Sequence, residues 1–104
     1  MKHNLPMKYE LSTTIIFDEW FQKLDRTTRN KLLACFARIE NGNFGDHKII
    51  KNNLFELRSF FDGGIRIYYT IRDYRVVLLL SGGNKSSQTK DIEKAGIILE
   101  ILGD

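Results

Sequence analysis

A chain of 104 residues, 42% hydrophobic and 12% aromatic, has the length of one domain and enough apolar material for a single core. With 28% charged residues, one proline and no low-complexity stretch, the composition excludes a disordered or collagen-like chain. The net charge of +3 is unevenly spread: between Lys48 and Lys90, eight basic residues stand against Glu56, Asp62 and Asp73, which points weakly to a polyanionic partner. No apolar segment follows Lys2 and His3, and no run approaches the roughly 18 apolar residues of a spanning helix. The expectation is a single domain over 1–104 with a flexible tail at 1–7, no membrane partner and no export. Cys35 is the only cysteine and falls in an apolar helical pattern, so it forms no internal disulfide and suits a reducing, cytoplasmic setting.

In chain order, residues 8–13 (KYELST) alternate weakly as a first strand, with Thr13 or Thr14 available to cap a helix. Phe17, Trp20, Phe21 and Leu24 then recur at i, i+3, i+4 and i+7, one apolar helical stripe. A second stripe, Leu32, Phe36 and Ile39 with Leu33 and Cys35, follows a cap at Asp25 or Thr27 and ends at Asn41-Gly42-Asn43. The short connection makes the two helices a hairpin. Three or four strands come next, at 47–51, 54–61, 65–72 and 75–80, punctuated by Asn52-Asn53, Asp62-Gly63-Gly64 and Arg72-Asp73-Tyr74. Ile92, Ala95, Leu99 and Leu102 close the chain as a short amphipathic helix carrying Gly96. The fold class is α+β: a mostly antiparallel sheet packed by the N-terminal helical hairpin, with a short C-terminal helix.

A three-residue turn at 62–64 would pair Phe61 with Ile65, Phe60 with Arg66 and Arg58 with Tyr68. Strand alternation then puts Phe55, Leu57, Phe61, Ile65, Ile67, Tyr69 and Ile71 on the core face, and Glu56, Arg58, Arg66, Tyr68 and Thr70 on the other. Two arginines and a tyrosine converging within cross-strand reach can hold a phosphate; the same residues with Glu56 also make an ordinary solvated charge network. Lys85, after Gly82-Gly83-Asn84, has the same two readings, a phosphate contact beside a glycine kink or a surface lysine, and the Walker pattern is absent. His47 has the intrinsic pKa for proton transfer, although a lone histidine at a strand entrance is also compatible with a structural role. No Cys/His cluster offers a metal site, and no serine sits in a nucleophile elbow. Trp20 and Phe21 belong to the core by their helical phase.

Several stretches carry a resemblance: W-x-x-x-L in the first helix, R-I-E-N-G-N-F-G-D-x-K after the second, then E-L-R, I-R-I-Y-Y and L-L-L-S-G-G-N-K-S-S-Q-x-x-D-I. In order and spacing, from about Tyr9 to Leu102, the chain resembles toxins of the RelE/ParE superfamily, in the HigB-like "addiction module killer" branch of type II toxin-antitoxin systems. The resemblance implies a RelE-like fold and translation inhibition by ribosome-dependent endonucleolytic cleavage of mRNA, with no metal or other cofactor. It further implies a cognate antitoxin, a HigA-like helix-turn-helix protein, as partner.

By the same resemblance, Arg58 and Arg66 match the arginines of the RelE pattern I-K-L-R-x-x-G-Y-R-L-V-Y, Lys85 matches the lysine after the last strand, and Gln88 matches a glutamine that orients a base or phosphate. Lys48 and Lys51 join Lys85 as RNA-backbone contacts. Three positions depart: Glu56 stands where the RelE branch has a lysine, Ser86 where it has a catalytic arginine, and Ile92 where it has a C-terminal tyrosine. Glu56 is then the candidate general base, with Tyr68 and His47 as alternates. The superfamily also contains ParE-like members that poison DNA gyrase, and a third reading is a catalytically inactive module that only binds its antitoxin.

Overall fold

The computed structural model describes residues 8–103; the expected tail at 1–7 lies outside the described residues. The chain runs β1 (Glu10–Thr13), α1 (Ile15–Gln22), α2 (Arg26–Glu40), β2 (His47–Lys51), β3 (Leu54–Arg58), β4 (Ile65–Arg72), β5 (Val76–Asn84), a 3-10 turn (Lys85–Ser87) and α3 (Gln88–Ile101). Thr14 caps α1, accepting from the Phe17 amide at 3.0 Å while its hydroxyl donates to the Leu80 carbonyl at 2.7 Å, which ties helix to sheet. Asp25 caps α2 by accepting from the Thr28 amide at 2.8 Å.

The five strands form one sheet in the order β1-β5-β4-β3-β2, antiparallel except for the parallel β1–β5 pair. Alternation along β3 and β4 buries Leu57, Ile65, Ile67 and Tyr69 against Phe17, Leu32, Phe36 and Ile39, so the α1–α2 hairpin covers one face. The opposite face is not simply solvated. Leu54, Tyr68 and Leu80 pack there against Ala95 and Ile98 of α3, giving a second small core and three layers in all. The C-terminal helix is also longer than expected, 14 residues, because it starts at Gln88 directly after the 3-10 turn.

Two expectations about the strands are corrected. β3 ends at Arg58 rather than Phe61, and the register pairs Arg58 with Arg66 and Glu56 with Tyr68, two residues away from the pairing a tight turn requires. The cause lies in the loop: Asp62, Gly63 and Gly64 all adopt positive φ, the Ser59 amide closes onto the Ile65 carbonyl at 3.0 Å, and Phe61 turns back into the hairpin-side core under Lys31. An offset of two preserves the face of every side chain, so the assignment of faces stands.

The second correction concerns Gly82-Gly83, which is no kink but part of β5, paired with Ile67 and Arg66. The glycines are required by what lies above and below them. A Cβ at position 82 would sit 2.5 Å from the Trp20 ring, and one at position 83 would sit 1.8 Å from Asp91 Oδ2 of α3.

Candidate active site

The site lies where β3, β4 and the start of α3 meet, on the face opposite the helical hairpin. Glu56 and Arg58 are two apart on β3, Arg66 and Tyr68 two apart on β4, and the ladder sets Glu56 against Tyr68 and Arg58 against Arg66. Asn84 launches the third element: its side chain accepts from the amides of Ser86 and Ser87, and Ser87 reaches back to the Asn84 amide, a capping box that delivers Gln88 as the first residue of α3. A second tie, from the Ser87 hydroxyl to Asp91, holds the turn against Gly83.

Glu56 is the centre of the arrangement and has no exposed surface. Its Oε1 accepts from Arg58 Nε at 2.9 Å; its Oε2 accepts from Gln88 Nε2 at 2.8 Å and from the Tyr68 hydroxyl at 3.1 Å. Arg66 Nε lies 4.0 Å from the same oxygen, is buried and has no hydrogen-bond partner, while Arg66 Nη1 donates to the Gly64 carbonyl at 3.4 Å. Burial pushes the Glu56 carboxyl up, but the hydrogen bonds from Gln88, Arg58 and Tyr68, with the Arg58 charge, outweigh it and hold the pKa below the usual value. Tyr68 moves the other way: burial, then the Glu56 charge and the hydrogen bond to it, keep the phenol protonated far above neutral pH.

The arginines are the reachable members of the cluster. Arg58 spends Nε on Glu56, is a third exposed, and leaves its terminal nitrogens uncommitted to Glu56; the Arg66 side chain is 12% exposed. Lys48 pairs with Glu56 across the β2–β3 ladder, so its exposed side chain rises from the same face. Lys85 is exposed at the first position of the 3-10 turn and adjoins Arg66 at Gly64: a Cβ there would lie 3.3 Å from Arg66 Nη1 and 3.7 Å from Lys85 Cβ. An open cleft of about 580 Å³, lined by Asp62, Gly63, Asn84, Lys85 and Ser86, borders this side.

Not every expected site residue joins the cluster. His47 pairs with Leu57 and therefore belongs to the hairpin-side face, where its ring neighbours Phe44 at 5.8 Å and its Nδ1 lies 3.0 Å from the Gly45 carbonyl. Lys51 follows a bulge in β2 and lies alongside α3, its Nζ 3.6 Å from where a Cβ on Gly96 would be. At the three departures, Glu56 is the buried hub, the Ser86 hydroxyl donates to Asn84 Oδ1 at 2.6 Å, and Ile92 packs into the α3-side core. Asn84 and Asp91 support the site without having been singled out in the sequence, although the Asn-x-x-Ser spacing of a capping box was there to be read. Among the described residues, no three His, Cys, Asp or Glu side chains come together in a group that could hold a metal ion, and no helix is long and apolar enough to cross a membrane.

Comparison with known proteins bears on this architecture. Residues 19–100 match the family described as "Phage derived protein Gp49-like (DUF891)". An uncharacterized protein of Haemophilus influenzae is 39% identical over 98 residues, covering 93% of this chain and 99% of its own length. Among solved structures, a double mutant of Escherichia coli toxin RelE in the free state superimposes with a TM-score of 0.70 at 18% identity, covering 88% of this chain and 96% of RelE. The intact E. coli RelBE toxin-antitoxin complex matches with a TM-score of 0.61 at 22% identity, over 73% of this chain and 95% of the matched one. Those identities speak for the fold, while the family match spans both arginines, the buried glutamate and the helix that docks on it. The chain belongs to the Gp49-like family of phage-derived proteins, built on the fold of the RelE toxins.

Proposed function

We propose that this chain is the toxin of a type II toxin-antitoxin system and stops translation by cutting mRNA on the ribosome, as an endoribonuclease that needs no metal. The observation that carries the reading is the pairing of Arg58 with Arg66 around a buried carboxylate, on a face bordered by Lys48 and Lys85. Kinship of fold with the RelE toxins supports it.

In such a cleavage the ribose 2′-oxygen attacks the adjacent phosphorus. The O2′–P bond forms, the P–O5′ bond breaks, and the products are a 2′,3′-cyclic phosphate and a 5′-hydroxyl. One proton leaves the 2′-hydroxyl and one reaches the departing 5′-oxygen, so the balance closes. Negative charge grows on the non-bridging oxygens in between, where preorganised guanidinium groups in a partly desolvated site stabilise it most. Arg58 and Arg66 fill that role. Lys48 and Lys85 hold the flanking backbone, Lys51 standing apart beside α3, and Gln88 orients a base or phosphate at the mouth of α3. Of the proton-transfer candidates Glu56, Tyr68 and His47, the first two offer no exposed surface and the third stands on the other face, so charge stabilisation and positioning dominate this reading.

The substrate sets the compartment, the cytoplasm, and the toxin role requires a cognate antitoxin, for which the resemblance favours a HigA-like helix-turn-helix protein. The RelE fold occurs in a toxin-antitoxin complex in the E. coli RelBE structure. The test is primer extension on mRNA after brief induction in a bacterial host, comparing the unaltered protein with Arg66→Ala. Cuts inside translated codons that vanish in the variant are the expected result. Intact mRNA with persisting toxicity would refute the reading and turn attention to DNA gyrase; intact mRNA without toxicity, with antitoxin binding retained, would leave a binding module.

A further inference from the structure

A carboxylate in the middle of a surface built for phosphate is at first sight misplaced, since it repels the ligand. Its surroundings explain its presence. Glu56 has no exposed surface and accepts from groups on three elements: Arg58 on β3, Tyr68 on β4 and Gln88 on α3. A ribose hydroxyl has no path to either oxygen, and both oxygens already have donors. Arg58 and Arg66 stand in direct cross-strand register, an arrangement that like charges disfavour unless an anion lies between them.

We propose that Glu56 is a positioning residue: its buried carboxylate aims the Arg58 guanidinium and the Gln88 side chain at an RNA phosphate and takes no proton itself. The inference deepens the reading above and rests on it for the identity of the ligand. The constraint on Arg58 is specific. With Nε donating to Oε1 at 2.9 Å, the planar guanidinium is tethered through one nitrogen, and its terminal nitrogens remain to donate to a ligand. Gln88 gives Nε2 to Oε2, which leaves its amide oxygen as an acceptor at the first turn of α3. Through the same bond the carboxylate seats α3 on the sheet. Arg66, 4.0 Å away with an unpartnered buried Nε, has no hydrogen bond to the carboxylate and is tied instead through Nη1 to the Gly64 carbonyl at 3.4 Å.

The inference makes a prediction of sign. By charge alone, Glu56→Gln removes a negative charge from the RNA-facing surface and tightens RNA binding. By positioning, it loosens the arginine and weakens binding. The measurement is the affinity of a short 2′-O-methyl RNA, which cannot be cleaved, for the unaltered protein, Glu56→Gln and Gln88→Ala, with folding of each checked by thermal melting. We expect both variants to bind about tenfold more weakly. Equal or tighter binding by folded Glu56→Gln overturns the proposal. Gln88→Ala removes the tie from the exposed side and leaves the buried carboxylate in place, so it decides the matter should Glu56→Gln fail to fold; unchanged binding there also overturns it.

The cleavage assay supplies a separate arm. A positioning residue lowers the rate roughly tenfold in Glu56→Gln with the pH dependence unchanged, and Gln88→Ala behaves alike. A general base gives a loss on the order of 10²–10⁴-fold together with disappearance of the acid limb of the profile, which overturns the proposal. RNA binding that responds as expected in a protein that cuts nothing refutes the nuclease reading and leaves the positioning of the phosphate contacts intact.

Discussion

Arg58 and Arg66 face each other directly across the β3–β4 ladder, with Glu56 accepting from the first at 2.9 Å and lying 4.0 Å from the second. Directly opposed like charges weaken a sheet, and one buried carboxylate offsets two guanidinium groups only in part. The residual positive charge at this point of the ladder is what an anion would neutralise. If the proposed phosphate site is real, the arrangement gives up some stability for it.

That trade-off predicts opposite effects on stability and activity at one position. Arg66→Met keeps the buried aliphatic stem and removes the charge. Cleavage of mRNA should fall about 10²–10³-fold, while the free energy of unfolding stays within about 1 kcal/mol or rises. A melt showing stability lost in parallel with activity would mean that Arg66 is a structural residue.

Glu56 makes stability sensitive to acid. Its carboxyl is held below its ordinary value of 4.5 because the hydrogen bonds from Gln88, Arg58 and Tyr68 outweigh burial. A depressed folded pKa contributes stability that is fully present above the unfolded value and is lost as pH falls through the folded one. Urea unfolding of the unaltered protein should therefore show a declining midpoint below about pH 4.5. Glu56→Gln should be less stable at neutral pH and flatter on the acid side. Parallel curves for the two proteins would show that the carboxylate contributes nothing to the acid limb.

Much of this architecture was legible in the chain, and the reasons differ by element. Periodicity found both hairpin helices and the core face of β3 and β4, because side-chain parity survives a register error of two. The register itself was hidden in the loop: nothing in Phe60-Phe61-Asp62-Gly63-Gly64 says that three successive residues take positive φ and carry Phe61 back into the core. The destination of α3 was also hidden. Its apolar residues announce a helix that packs somewhere, but not that it covers the face bearing Glu56 and Tyr68, which is why a face expected to be solvated holds three residues with no exposed surface, Glu56, Tyr68 and Thr70. The face that His47 joins was hidden for a related reason, since only the β2–β3 pairing reveals it.

The two glycines of β5 should differ in their tolerance of a methyl group. At Gly82 the obstacle is the rigid Trp20 ring, 2.5 Å from the added carbon and itself packed against Phe17. At Gly83 it is a carboxylate that can rotate away, at the loss of the Ser87–Asp91 tie. Gly82→Ala should cost about 2–3 kcal/mol, by overpacking, and Gly83→Ala roughly half of that. Equal losses would mean that Asp91 is held as firmly as Trp20.

Aromatic truncations provide a check on the packing. Phe17 is 2% exposed and touches Trp20, Phe21 and Phe36, whereas Phe60 is 88% exposed. Phe17→Ala should destabilise by about 3–5 kcal/mol and Phe60→Ala by less than about 0.5 kcal/mol. A large effect at Phe60 would place its ring in a contact absent from this structure.

Lys85 lies at the edge of the site, and its contribution is measurable through salt. A lysine that neutralises one RNA phosphate releases counterions when it binds, so its removal lowers the slope of log affinity against log salt by about 0.7 for a single strand. Its position supports one such contact: it opens the turn before α3, is exposed, and adjoins Arg66 at Gly64. Lys85→Gln should weaken binding of a non-cleavable RNA evenly across sequences and reduce the slope by that amount. Lys31 is the control, since it lies over the Phe61 ring on the hairpin side of the sheet. Lys31→Gln should leave both affinity and slope unchanged. Equal responses at the two lysines would mean that RNA senses only the net charge of the protein; a response confined to Lys85 would assign a phosphate to the mouth of the arginine face.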